Sequence, residues 1–96
     1  MYIHWKKPGA DAPGVWAVCE AVSPEDAAGA VKGSIPAEQG YIDGVVLNYH
    51  GADELDTVKT AVTDAVHSAR PLEAPLDVLV KVGGELATAW RFPPAK

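Results

Sequence analysis

Hydrophobic positions change period along this chain. They alternate through 41–49, recur at helical spacing through 53–69, and alternate again on both sides of Gly83-Gly84. Side chains alternate across a strand and return every 3.6 residues on a helix, so the stretch reads strand, helix, hairpin. On a helical projection of 53–69, Leu55, Val58, Ala61, Val62, Ala65, Val66 and Ala69 fall within an arc of about 140°. Asp53 and Glu54 stand at the positive end of that helix, Arg70 at its negative end, and Pro71 stops it.

Two glycines between alternating runs are a strong signal for a two-residue hairpin joining 76–82 to 85–92. A regular register then sets Leu76, Val78, Val80 and Val82 beside Arg91, Ala89, Ala87 and Glu85. That small aliphatic face is expected under the long helix. Trp90 and Phe92 are expected on the opposite face with Leu79 and Leu86.

The first forty residues follow the same logic. Residues 1–6 alternate Tyr2, His4 and Lys6 against Ile3 and Trp5, a first strand, and the Pro- and Gly-rich run 7–14 is a turn or loop. Residues 15–22 are a second strand, apolar on both faces. Ser23-Pro24-Glu25-Asp26 opens a short helix, with serine as cap, proline at the first position and acids at the positive end. Gly33 is expected to close it. Residues 34–40 form a loop, and 41–49 a third strand in which Gly44 marks a bulge or a close backbone approach.

The order is therefore β-β-α-β-α-β-β. It predicts an α+β fold: one mixed sheet of about five strands, two helices packed on it and a C-terminal hairpin. The expected organisation is a single domain over 1–92 and a frayed tail over 93–96.

Composition narrows the function more than it identifies it. Hydrophobic residues make up 48% and charged residues 22% of the 96, the balance of a globular domain. The net charge of -5 disfavours nucleic acid and anionic membranes, and the basic residues form no stripe. The longest apolar run, Val15-Trp16-Ala17-Val18-Cys19, is far short of a membrane span. Positive charge follows the short N-terminal apolar segment, the reverse of a secretory signal. Cys19 stands alone, so no intrachain disulfide forms, which fits a reducing compartment. The expectation is a soluble, cytoplasmic protein. Alanine, glycine and proline supply a third of the residues, a bias typical of a GC-rich genome such as an actinobacterium or one of its phages.

No set of catalytic residues stands out. Histidines 4, 50 and 67 have no ligand at zinc spacing, and Cys19 lies in an apolar strand without a neighbouring base, so neither metal nor cofactor is expected. Nucleophile elbows, phosphate loops and dinucleotide fingerprints are absent. His50, with Asn48, follows the third strand, where α/β units often hold ligands. The aromatics are the stronger lead, because tryptophan, tyrosine and arginine dominate binding hot spots. Tyr2, Trp5, Trp90, Arg91 and Phe92 are the predicted contact surface of a non-enzymatic protein-binding module, such as a phage or bacterial accessory protein. Two alternatives stand beside it. One is a structural subunit of a homo-oligomer or virion assembly, using the same face. The other is a small-ligand binder or enzyme centred on His50.

Overall fold

A computed structural model describes residues 2–6, 13–35, 42–69, 71–72 and 74–93, without the side chains of 2–6 and 13–14. Of the expected loops over 7–14 and 34–40, residues 7–12 and 36–40 lie outside them, whereas Pro13 and Gly14 are strand and Ser34 is helix; the strand start at Tyr41, the helix-end charge of Arg70 and residues 94–96 of the expected tail 93–96 also lie outside. Seven elements run in the order β1 (Tyr2–Lys6), β2 (Pro13–Ala21), α1 (Pro24–Ser34), β3 (Gly44–Tyr49), α2 (Leu55–Ser68), β4 (Leu76–Val82) and β5 (Glu85–Phe92). The class is α+β, a mixed sheet carrying two helices. The strands lie in sequence order, β1-β2-β3-β4-β5. The two outer pairs are antiparallel and the two inner pairs parallel.

That order decides where the helices go. Both crossovers, β2-α1-β3 and β3-α2-β4, step the chain in the same direction across the sheet, and right-handed crossovers then put both helices on one face. The core has that composition. Ala17 and Ala21 of β2, Val45, Leu47 and Tyr49 of β3, and Leu76, Val78 and Val80 of β4 meet Ala27 and Val31 of α1 and Val58, Val62 and Val66 of α2. Each large aliphatic side chain so buried contributes about 1.5–3 kcal/mol. No described helix covers the other face, where Trp16, Val18 and Glu20 run beside Gly44, Val46 and Asn48, then Asp77, Leu79 and Lys81.

Local chemistry explains most boundaries. Ser23 Oγ accepts the Asp26 N–H at 3.0 Å, and the Asp26 carboxylate accepts the Val22 N–H at 3.0 Å, closing a reciprocal cap. Gly33 does not end α1. The helix continues through Ser34, whose hydroxyl donates to the Ala30 carbonyl at 2.8 Å, and Ile35 leaves in an extended conformation. Gly44 is a close approach rather than a bulge. A Cβ there would sit 2.6 Å from the Asp77 carbonyl oxygen and against the Trp16 ring, which lies across it. The turn at Gly83 (φ 62°) and Gly84 (φ 83°) needs positive φ at both positions, as the paired glycines predict. No described helix is long and apolar enough to cross a membrane.

The hairpin register differs from the regular one. Val82 pairs with Glu85 and Lys81 with Leu86, but Val80 then faces Thr88, leaving Ala87 as an extra residue in β5. This bulge moves every later residue of β5 by one position. Val78 is opposite Trp90 and Leu76 opposite Phe92, so both aromatics face the helices.

Candidate functional site

β5 is an outermost strand, and it is exposed on both faces from Glu85 to Ala87. Leu86 is 59% and Val82 43% exposed, the two large apolar side chains that the hairpin leaves in solvent. Further down, the strand meets the end of α2. Phe92 is buried between Trp90, ring centroids 6.1 Å apart, and His67 at 6.0 Å, both edge-to-face. Lys59 Nζ lies 5.3 Å from the Trp90 ring, a cation–π contact that covers the indole from the helix side. The Trp90 Nε1 donor is buried without a hydrogen-bond partner among the described residues.

An apolar cleft opens beside these rings. It holds about 290 Å³ and is lined by Val66, His67, Ala69, Pro71, Leu72, Phe92 and Pro93. A cavity of about 150 Å³ lined by aliphatic and aromatic side chains takes up a benzene, so this space admits an aromatic or branched side chain. The His67 imidazole supplies the polar side-chain group of its wall.

Backbone directions along β5 follow from β4. The Asp77 N–H donates to the Asp43 carbonyl at 3.0 Å, so Asp77 bonds toward β3 and its neighbours Leu76 and Val78 bond toward β5. Their partners Trp90 and Phe92, with Thr88 in the same phase, bond toward β4. Ala89 and Arg91 therefore turn their N–H and C=O groups outward, away from the sheet. The Arg91 side chain is fixed to Asp77 by a fork of 2.6 and 3.2 Å, which raises the guanidinium pKa above its ordinary value.

A polar cluster occupies the opposite end of the sheet. His50 Nε2 lies 2.6 Å from one Glu20 carboxylate oxygen, and Asn48 Nδ2 donates to the other at 2.8 Å. The hydrogen bonds from His50, then from Asn48, hold the Glu20 carboxyl below its usual range. Behind it the Tyr49 phenol donates to Asp53 at 2.8 Å, and burial, then Asp53, pushes it up to about 12. The Glu20 and His50 side chains are 64% and 53% exposed, so their pairing is weak by itself. Among the described residues no group of three or more histidine, cysteine or acidic side chains is placed to hold a metal.

The five aromatic and arginine positions nominated by sequence do not form one surface. Tyr2 and Trp5 lie on β1, paired with Ala17 and Gly14 at the far edge from β5, with side chains outside the description. Trp90 and Phe92 come together, but on the helix face. Arg91 points to the other face. Asn48 and His50 do come together, through Glu20, a residue that sequence reasoning passed over because only the parallel register of β2 and β3 pairs Glu20 with Asn48. His67 and Leu72 were missed as cleft residues, and no sequence signal links them to Phe92. Leu86 had one: a leucine opposite Lys81 at the tip of a hairpin. No family model matches the chain, and neither a curated protein nor a solved structure is significantly similar to it.

Proposed function

We propose that this chain is a small acidic protein-interaction module, non-enzymatic, that contacts its partner through the outer side of the β4–β5 hairpin. The observation that carries the reading is the exposure of Val82 on β4 and Leu86 on β5, at the tip of a hairpin whose outermost strand runs down to an apolar cleft. Exposed large apolar groups and concave apolar sites are both typical of interaction surfaces, and here they stand at the two ends of one hairpin. This moves the contact surface from the set Tyr2, Trp5, Trp90, Arg91 and Phe92 to the hairpin alone. Trp90 and Phe92 support the cleft rather than present themselves. Lysine at both exposed positions (Val82→Lys with Leu86→Lys) leaves the fold intact and removes the proteins that the wild-type chain captures from a bacterial lysate. Undiminished capture by the folded double variant contradicts this surface. Self-association through the same strand is the competing outcome, and light scattering at micromolar concentration separates the two by native mass.

A second reading, a small-ligand site at the carboxyl ends of β2 and β3, rests on the hydrogen bonds that join Asn48 and His50 to Glu20. A fragment screen by amide NMR tests it. Ligand-dependent shifts at Glu20, Asn48 and His50 that vanish in His50→Ala support it, and an unresponsive cluster removes it.

A further inference from the structure

We infer that the hairpin surface binds by strand addition: an extended segment of the partner pairs with β5 and places a large apolar side chain in the cleft beside Phe92. The inference rests on the protein-interaction reading and names its mode and the chemistry of the partner. Three features of β5 carry it. The strand is outermost, and Ala89 and Arg91 aim backbone donors and acceptors outward, a row that an extended peptide satisfies and a helix or a small molecule does not. The bulge at Ala87 blunts the tip of the strand, but from Thr88 to Phe92 the edge is regular and carries neither the proline nor the lysine that commonly blunts one. The cleft of about 290 Å³ flanks the same strand at Phe92 and Pro93, where an added strand can reach it.

Main-chain pairing supplies affinity in such complexes, and a pocket for an alternate side chain supplies selectivity. Both parts are present here, side by side. The pocket wall is apolar apart from His67, which selects leucine, isoleucine or an aromatic group at the position that faces it. The net charge of -5 draws segments of positive charge and repels a second copy of this chain. The occupant is therefore an extended basic segment with apolar residues at alternate positions, from another protein.

A random twelve-residue peptide display library, panned on the intact chain, tests this. Enriched peptides are expected to alternate large apolar with polar residues and to carry more lysine and arginine than acids. The best of them is then synthesised. Ala89→Pro removes an outward N–H that the β4–β5 ladder does not use, so the fold survives and the peptide binds roughly tenfold or more weakly. Where Ala89→Pro does not fold, the peptide itself is N-methylated. Methylation of every second amide in one phase weakens binding roughly tenfold or more, and in the other phase leaves it unchanged. Absence of enrichment, apolar residues at helical spacing, acidic consensus peptides, or equal tolerance of both methylation phases overturns strand addition. A dimer that no peptide dissociates also overturns it. If lysate capture is lost in Val82→Lys with Leu86→Lys but retained in folded Ala89→Pro, the interaction module stands and only its mode fails.

Discussion

β3 and β5 are comparable as sequences, Gly-Val-Val-Leu-Asn-Tyr against Glu-Leu-Ala-Thr-Ala-Trp-Arg-Phe, yet they have opposite fates. In β3 every residue but Asn48 is buried; in β5 only Phe92 is. The difference lies in position in the sheet. β3 has a parallel neighbour on each side and both helices above it, whereas β5 has one neighbour, a bulge, and partial cover from Lys59 and His67 of α2. Hydrophobicity alone thus fails to report burial. An outermost strand can keep leucine in solvent, and a leucine kept there is available for binding.

Substitutions should separate the two strands sharply. Leu47→Asp in β3 buries an unpaired charge and is expected to remove more than about 4 kcal/mol, enough to unfold a marginally stable domain. Val62→Asp on α2 should do the same from the helix side, since Val62 is fully buried. A soluble variant of either with an unchanged melting temperature would show that this layer is not the core. Gly44→Ala comes next. Its Cβ meets the Asp77 carbonyl and the Trp16 ring, and the expected loss is about 1–3 kcal/mol by chemical denaturation.

Tyr49 gives β3 a pH dependence of its own. Its phenol titrates at about 12 in the folded protein against about 10 in an unfolded chain. Raising the pKa of an acid favours its protonated form, so the stabilisation is complete below pH 10 and is lost as pH rises from about 10 to about 12. Tyr49→Phe should flatten that alkaline limb of the denaturation midpoint, and an unaltered limb would assign it to another group. Leu86→Lys, at the small end, should change stability by no more than about 0.5 kcal/mol.

The contrast also shows what the sequence could carry. The arc of α2, the Ser23 cap and the Gly83-Gly84 turn were legible because each is set by neighbours a few residues apart. The order of elements followed from the same local signals. The bulge at Ala87 was not legible: Ala87, Thr88 and Ala89 are all small, so no pattern of polarity fixes which one is left over. That single extra residue turned Trp90 and Phe92 from the supposed binding face to the helix face. The doubly apolar pattern of β2 pointed to cover on both of its faces, and the placement of both helices on one side required the strand order. The Glu20–Asn48–His50 cluster required the parallel register, and the cleft at Phe92 required the meeting of α2 and β5, contacts between residues that lie far apart in the chain.

Amide hydrogen exchange along β5 tests the central claim most directly, since it reads the open edge without a partner in hand. Thr88 and Trp90 donate toward β4 and should be protected, while Ala89 and Arg91 face outward and should exchange much faster. Alternating protection at 88–91 is the result the account predicts. Uniform protection across those four amides would mean that the edge is already covered, and would contradict it.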